Sequence, residues 1–330
     1  GLGALIAGFF FDLIVADRPD SVGNNLLLLF YLIIAGTFII ILNVRARRRS
    51  DVEPFFLLLI LQFAFGGLAS NLLVLYGRSG TFAGSAVFLA MLVALIVGNE
   101  YLRNRYAILK FNVGVYYFLL LSYCVIAVPT FMTHSISGWS FLLSGLISLI
   151  VVAVFLVALF FFVFRGRDID SLRIVGGIVA LVFISFNVLY YINVIPPVPL
   201  SLKSVGVYHS VLKRQDGGYV VLYQKEPWWE FYRGSASAYA ITPGLEGREA
   251  FCFSSVFAPT DLNAPVYHRW EKYDEVEKEW RTQSRISFPI SGGRDGGYRG
   301  FSRISMLTPG RWRCSVETTG GALIGRVGFR

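Results

Sequence analysis

The stretch LLLLFYLIIAGTFIIILNV spans Leu26–Val44, and the next five residues, Arg45–Arg49, read RARRR. The first run contains no charged side chain and approaches the length of about 20 residues that a helix needs to cross about 30 Å of hydrocarbon. Lipid offers no hydrogen-bond partner to a bare backbone, so a segment of this kind must be helical. The stretch therefore predicts a membrane-spanning helix that ends at a cluster of arginines.

Six further apolar stretches of the same character lie in the first 195 residues. Together they predict a bundle of seven transmembrane helices over residues 1–195. The further stretches are Leu2–Ala16, Phe55–Tyr76, Phe82–Gly98, Phe111–Met132, Trp139–Phe164 and Ile174–Ile195. The composition agrees, because 55% of the residues are hydrophobic and only 15% are charged. Soluble globular domains usually contain fewer hydrophobic and more charged residues.

The Lys and Arg residues of the short loops predict an orientation, because basic loops stay in the cytoplasm. One set of alternate loops contains Arg18 and Arg78 alone. The other set contains Arg45, Arg47, Arg48, Arg49, Arg103, Arg105, Lys110, Arg165, Arg167 and Arg173. We therefore expect a cytoplasmic N-terminus and, in a bacterium with two membranes, a C-terminal domain in the periplasm.

The formal net charge of +9 raises the question of nucleic-acid binding. Residues 200–330 hold 18 Lys and Arg against 13 Asp and Glu, which leaves +5, and the preceding residues supply the other +4. The basic residues are thus divided between loops and C-terminal domain, and contact with anionic headgroups explains Arg45–Arg49. We expect membrane lipid as a partner and no nucleic acid.

Asp12 is the one carboxylate well inside a predicted span. A charged side chain in lipid needs a functional or structural reason. Because Asp12 lies about five residues, or roughly 7 Å, from the outer end of its helix, it can reach interfacial water or pair with a helix. The alternative is a polar path with the amides of the spans, which are Gln62, Asn71, Asn112 and Asn187.

After the last span the chain changes to a polar, aromatic and Gly-rich sequence. The motif Pro196-Pro-Val-Pro199 cannot continue a helix, so residues 196–203 are predicted to be a stiff linker. Short β-type runs then follow within residues 204–330: Gly218–Tyr223, Ala250–Val256, Val266–Trp270, Ser284–Phe288, Trp312–Glu317 and Leu323–Phe329. In one of these runs, Trp312, Cys314 and Val316 are predicted to be buried, and the residues between them to be exposed to solvent. Together the runs predict an antiparallel, immunoglobulin-like β-sandwich.

The C-terminal motifs resemble a known bacterial family. They are Pro196–Lys203, Val207–His209, Val256–Leu262, Tyr267–Trp270, Gly292–Gly300 and Gly310–Thr318. The sequence is similar to the domain of unknown function numbered twenty-nine-fourteen, which occurs on polytopic inner-membrane proteins. The resemblance covers most of residues 196–330, implies a membrane-anchored periplasmic domain, and supplies no catalytic residues.

The loop Gly292–Gly300 is the most unusual local sequence, because five of its nine residues are glycine. Glycines allow close backbone approach, and Arg294, Asp295, Tyr298 and Arg299 place charged and aromatic groups beside them. The loop predicts either a docking site for an anionic or polyhydroxyl group or a strand connection held by an Arg294–Asp295 salt bridge. The loop lacks the Lys-Ser/Thr ending of a phosphate-binding loop.

The adjacent pair Trp228 and Trp229 lies outside any alternating pattern, so at least one of the two is expected to face outward. Exposed Trp residues stack on sugars, anchor a protein partner or sit at a membrane surface. The pair therefore predicts a protein or lipid contact, a glycan contact, or plain packing.

Cys252 and Cys314 lie in predicted strands of an oxidising compartment, so they form either a disulfide or two free buried thiols. His134, His209 and His268 are the only imidazoles, and none belongs to a helical ligand pair. We expect no metal, no cofactor and no catalytic residues.

These patterns favour a non-enzymatic inner-membrane protein that presents a periplasmic β-domain to an envelope component or to a partner in a membrane complex, as an accessory subunit would. One alternative is a transporter or permease subunit in which Asp12 lines a path. The other is an envelope enzyme acting on glycan or lipid, with His209 or His268 as the base.

Overall fold

The computed structural model describes residues 18–47, 55–80, 82–101, 109–166, 168–215, 218–222, 249–294 and 296–329. The chain divides into two compact units. The first, the helical unit, comprises Gly1–Gly77 and Ser85–Pro199, and the second, the β-rich unit, comprises Arg78–Gly84 and Leu200–Arg330. Each unit has its own hydrophobic core.

The helical unit contains six helices within the described residues. They are α1 (Val22–Arg47), α2 (Phe55–Gly77), α3 (Phe82–Tyr101), α4 (Leu109–Val128), α5 (Gly138–Ala158) and α6 (Ile169–Tyr191). Each of α4 and α5 continues into a π-helical turn, at Pro129–Thr133 and Leu159–Val163. Apart from α3, all are long and apolar enough to cross a membrane.

The described helices therefore support five of the seven predicted spans by length and composition. The predicted span Phe82–Gly98 corresponds to α3, whose apolar part, Ser85–Gly98, is shorter than the other five. The predicted span Leu2–Ala16, together with Asp12, lies outside the described residues. The five long apolar helices are compatible with a membrane protein.

Helix α4 is the centre of the helical unit. It packs against α1, α2, α5 and α6, and 83% of its apolar span is buried inside the protein, against 28% for α5 and 17% for α6. Aromatic rings fill the space around it, because Phe88, Phe118 and Phe186 lie with their centroids 5.8 to 6.1 Å apart. The outer helices consequently leave apolar surface facing away from the protein.

Polar groups in this core bond to one another. The side-chain amides of Asn24 on α1 and Asn71 on α2 are both buried, and each donates to the other, at 3.2 and 2.7 Å. Tyr76 donates to the carbonyl oxygen of Ser122 at 2.8 Å, and Asn187 donates to that of Phe183 at 2.8 Å. Of the amides considered for a polar path, Asn71 thus joins two helices, and Asn187 bonds to the backbone of its own helix.

The β-rich unit contains nine strands within the described residues. They are β1 (Ser201–Tyr208), β2 (Ser210–Lys213), β3 (Tyr219–Leu222), β4 (Ala250–Phe257), β5 (Asn263–Asp274), β6 (Glu279–Ser291), β7 (Tyr298–Ile304), β8 (Trp312–Thr318) and β9 (Leu323–Phe329). They form a three-stranded sheet in the order β1-β4-β7, a hairpin of β2 and β3, and a four-stranded sheet in the order β6-β5-β8-β9. All neighbouring strands are antiparallel.

The core of this unit lies between the two larger sheets. A disulfide joins Cys252 on β4 of the three-stranded sheet to Cys314 on β8 of the four-stranded sheet. Trp270, Trp312 and Val327 pack around it and are almost wholly buried. The side chains of alternate β8 residues therefore point into this core, as the sequence pattern predicted.

The six predicted β-type runs all lie on or overlap strands, but three strands were missed. Strand β1 begins at Ser201, so the predicted linker over residues 196–203 is wrong from that residue on, and β2 follows β1 after one residue. Strand β7 begins at Tyr298, inside the predicted Gly-rich loop. All three contain Gly, Ser, Arg or Lys at positions that weaken the alternating pattern.

Candidate functional site

Three arginines lie in one line across the four-stranded sheet. The strand register places Arg269 on β5 opposite Arg285 on β6 and, on its other side, opposite Ser315 on β8. Ser315 in turn lies opposite Arg326 on β9. We call Arg269, Arg285 and Arg326 the arginine row.

The period of two along the strands explains which face these side chains occupy. On β5, His268 and Trp270 are fully buried in the core, so the intervening Arg269 projects to the opposite face. On β8, Cys314 and Val316 point into the core in the same way. The arginine row therefore lies on the outer face of the sheet.

Glu317 on β8 holds two members of the row together. Its carboxylate forms an ion pair with Arg269, with 3.0 Å from Oε2 to Nε but without hydrogen-bond alignment. Its Oε1 accepts a hydrogen bond of 2.8 Å from Arg285 Nε. Like charges directly opposite in a sheet repel, and the buried Glu317 carboxylate offsets that repulsion.

Glu271 on β5 is a second buried carboxylate on the same face. Arg313 donates two hydrogen bonds to it, at 2.7 and 2.9 Å, and Ser315 donates a third at 3.1 Å. Burial by itself raises the pKa of Glu271, but the hydrogen bond from Arg313 and the charge of Arg269 outweigh it, so its pKa lies below the ordinary value. Glu271 is therefore ionised at neutral pH.

The arginine row, Arg313 and the two buried glutamates together carry excess positive charge. The arginine row and Arg313 contribute four guanidinium groups, and Glu271 and Glu317 contribute two carboxylates, which leaves a formal charge of +2. Arg326 donates from Nε to Ser315 Oγ at 2.9 Å, and forms no ion pair within the described residues. Burial and, secondarily, Arg313 lower the pKa of Arg326. We call these four arginines and two glutamates the arginine face.

Aromatic rings around the arginine face are covered by guanidinium groups. Arg285 lies 4.1 Å from the ring centroid of Tyr267, and Arg313 lies 4.1 Å from that of Trp280. At these distances the cations interact with the ring faces. Each covered face is thereby occupied by the protein itself.

An open depression of about 380 Å³ lies on the arginine face. Two guanidinium groups, one carboxylate, two hydroxyl groups and a glycine turn surround it. Its lining residues are Arg269, Thr282, Arg285, Glu317, Thr319, Gly320 and Gly321. The depression is thus polar and positively charged.

The Gly-rich loop lies elsewhere, at the start of β7. Arg294 is exposed, with its guanidinium 5.4 Å from the ring centroid of Tyr298, and Arg299 is exposed on β7. A Cβ on Gly292 would lie 1.6 Å from the carbonyl oxygen of Pro259, so glycine is required there. Asp295 lies outside the described residues, so the Arg294–Asp295 salt bridge stays a prediction.

Trp228 and Trp229 also lie outside the described residues.

The sequence patterns did not predict the arginine face. The available signal was charged residues at alternate positions in neighbouring strands, as in Arg269 and Glu271 on β5. Burial cannot be read from that signal, because Glu271 is a charged residue and is nevertheless almost wholly buried.

His268 lies inside the core rather than at an accessible site. Its Nε2 is 2.8 Å from Ser254 Oγ and its Nδ1 is 2.9 Å from Ser302 Oγ, which also accepts from Trp270 Nε1 at 3.0 Å. Burial lowers the pKa of His268 to about 3, so the ring is neutral. The enzyme alternative names His209 or His268 as the base, and a buried imidazole with both nitrogens engaged does not suit that role in the case of His268.

The ligand atoms of Cys252, His268 and Cys314 lie within 4.8 Å of one another. Within the described residues this is the one group of at least three potential ligands close enough to hold a metal ion. Both cysteine sulfurs are joined in the disulfide. A thiolate is the metal ligand that cysteine supplies, so this group is a structural part of the core in its oxidised form.

Comparisons with known proteins support a family assignment for the C-terminal segment. Residues 263–330 match the family model described as Protein of unknown function (DUF2914). No curated protein sequence matches the chain significantly. The solved structure of Pseudomonas fluorescens alkylpurine DNA glycosylase AlkC, bound to DNA containing an abasic site analog, is similar at 10% identity over 94% of this chain and 98% of that chain.

The TM-score to that glycosylase is 0.24. The family match, by contrast, begins at Asn263, the first residue of β5, and includes every residue of the arginine face. The C-terminal segment of this chain, residues 263–330, thus matches the DUF2914 family model.

Proposed function

We propose that this chain is a non-enzymatic membrane protein whose β-rich unit binds a partner protein with an acidic surface. The observation that carries the proposal is the arginine face, where four guanidinium groups exceed two carboxylates on the outside of a regular sheet. Arginine is enriched in the binding hot spots of protein interfaces, and complementary charge gives such interfaces their specificity. The chain would serve as an accessory subunit of an envelope complex.

The helical unit supplies the membrane anchor in this proposal. Along α5, Leu142, Leu146, Ile150 and Val154 recur at four-residue spacing and are all more than half exposed. A stripe of this kind on an apolar helix suits contact with lipid chains. The anchor is proposed to have seven spans, including Leu2–Ala16.

The proposed location is the inner membrane of a bacterium, with the N-terminus in the cytoplasm and the β-rich unit in the periplasm. The support is the bias of Lys and Arg towards alternate loops. An oxidising periplasm also suits the Cys252–Cys314 disulfide. With Trp270 buried beside that bridge, the two sheets are proposed to form an immunoglobulin-like sandwich.

A pull-down from gently solubilised membranes tests the proposed function. Three forms are compared: the intact chain, a chain lacking residues 200–330, and a chain with Arg269→Gln and Arg326→Gln. We expect partners of the intact chain to be lost from both altered forms and to dissociate as NaCl is raised. Arg303→Gln is the matched control, because Arg303 is exposed on β7, in the other sheet, and forms an ion pair with Glu249. Identical partner sets for all forms would refute the proposal.

A further inference from the structure

We propose that the depression on the arginine face binds the carboxylate of an Asp or Glu side chain in an extended acidic segment of the partner. This inference rests on the proposed function and names the chemistry of its ligand. The depression, on the outer face of the four-stranded sheet, is open and therefore accessible to a side chain from another protein.

The charge of the depression matches one monoanion. Arg269 and Arg285 contribute two positive charges and Glu317 one negative charge, which leaves +1. Nη2 of Arg285 already donates to the carbonyl oxygens of Thr318 and Thr319. Arg269 forms its ion pairs with Glu271 and Glu317 through Nε. Within the described residues, its terminal nitrogens Nη1 and Nη2 donate no hydrogen bond. A carboxylate can accept two parallel hydrogen bonds from such a guanidinium.

The surroundings favour a protein carboxylate over a sugar. Sugar binding commonly uses an open aromatic face, but Arg285 covers Tyr267 and Arg313 covers Trp280. The volume of about 380 Å³ is near the lower end of the range for ligand pockets. That volume admits an Asp or Glu side chain, and the covered aromatic faces, rather than the volume, argue against a sugar.

The arginine row indicates how an acidic segment would be spaced. Arg269 and Arg326 lie on strands separated by β8, so their backbones are roughly 10 Å apart at the usual strand spacing. Alternate side chains of an extended segment project to one side about every 7 Å. A segment with acidic residues at every second position can therefore place one carboxylate in the depression and another near Arg326.

Calorimetric titration of the full chain in a neutral detergent tests the inference with a defined probe. The probe is the peptide acetyl-(Gly-Glu)4-amide, and its matched control is acetyl-(Gly-Gln)4-amide. We expect the acidic peptide to bind at least about tenfold more tightly than the neutral one, because hydrogen bonds to charged groups carry the binding. Its Kd should rise with NaCl concentration.

Thr319 allows the depression to be altered without changing a buried ion pair, because this residue is exposed at its rim. Thr319→Glu places a competing carboxylate there, and we expect it to weaken binding of the acidic peptide at least about tenfold. Thr319→Gln, of similar shape, should change binding less than about threefold. Arg303→Gln, on the other sheet, should also leave it within about threefold and controls for total charge.

Three results would overturn the inference. The first is equal binding of the two peptides, and the second is an equal effect of Thr319→Glu and Thr319→Gln. The third is tighter binding of glucuronate or of glycerophosphoglycerol than of the acidic peptide, which would assign the depression to an acidic sugar or to a lipid headgroup. If the pull-down still loses its partners in the Arg269→Gln and Arg326→Gln chain, the proposed function stands without this subsite.

Discussion

At the scale of single residues, Glu271 and Glu317 are acidic side chains on the outer face of a sheet, yet both are almost wholly buried. Removing a carboxylate from water costs several kcal/mol unless charged partners compensate for it. Arg313 compensates for Glu271, and Arg269 and Arg285 compensate for Glu317. The two glutamates fix the positions of arginines that would otherwise repel one another.

Glu317→Gln should therefore destabilise the sheet that carries the arginine face. Removal of this charge leaves Arg269 and Arg285 opposite each other without the buried carboxylate, and we expect a loss of about 1–3 kcal/mol in the free energy of opening. Hydrogen exchange of the β8 amides measures that free energy in the full chain. Glu279→Gln, at an exposed ion pair, is the control and should change it by less than about 0.5 kcal/mol. Equal effects of the two substitutions would contradict the role given to Glu317.

His268 should make the stability of the β-rich unit depend on pH. Burial lowers its pKa in the folded protein to about 3, below the ordinary value of about 6.5. As the pH falls below about 6.5, the unfolded chain binds a proton that the folded chain excludes, so stability decreases by up to about 1.4 kcal/mol per pH unit. The loss continues until the pH reaches the folded pKa.

His268→Gln removes that titration and should flatten the decrease in stability between pH 6 and pH 4.5. Hydrogen exchange of the β5 amides, measured at several pH values, checks the slope. His134→Gln, in the helical unit, is the control and should leave the slope unchanged. A slope that is the same in His268→Gln and in the parent chain would show that His268 is not its source.

At the scale of secondary-structure elements, contacts between helices use buried amides as well as apolar side chains. Asn24 and Asn71 join α1 to α2 by two reciprocal hydrogen bonds. Interhelical hydrogen bonds of this kind contribute about 0.6–2 kcal/mol in membrane proteins. The pair fixes the position of one helix along the other, which apolar contacts alone specify less strictly.

Asn71→Leu should lower the thermal stability of the detergent-solubilised protein, because the amide of Asn24 loses its partner in an apolar setting. We expect the double substitution Asn24→Leu with Asn71→Leu to recover part of that loss, since no unpaired amide remains. A double-mutant cycle on the melting temperature measures the coupling. Additive effects of the two substitutions would mean that the amides do not depend on each other.

At the scale of the whole molecule, the described part of the chain combines five long apolar helices with a β-rich unit that is held by an inter-sheet disulfide. The proposed orientation separates the two by compartment. The turn between β5 and β6 provides a site to test this, because Val276 is 90% exposed there. The natural free cysteine, Cys124, is buried and gives little background labelling.

Val276→Cys should react with a membrane-impermeant maleimide in intact spheroplasts if the β-rich unit is periplasmic. Lys110→Cys, at the start of α4 in a loop of the basic set, should react only after the membrane is permeabilised. Mass measurement of the purified chains records both reactions. Labelling of Lys110→Cys alone in intact spheroplasts would reverse the proposed orientation.

The sequence predicted those parts of the fold that depend on local pattern. Apolar length identified helices such as α1, and alternation identified the buried side of β8, because both signals are contained in one segment. The arginine face was not predicted, because it depends on the pairing of Arg269 with Arg285 and of Ser315 with Arg326. These residues are distant in sequence, and only the strand register brings them into one line.

The disulfide between Cys252 and Cys314 also determines how the β-rich unit responds to proteolysis. The turn that contains Val276 lies between the two cysteines in the chain, so a single cut there leaves both fragments covalently attached. On a gel run without reductant the nicked protein would migrate as one species. A reductant would separate it into two.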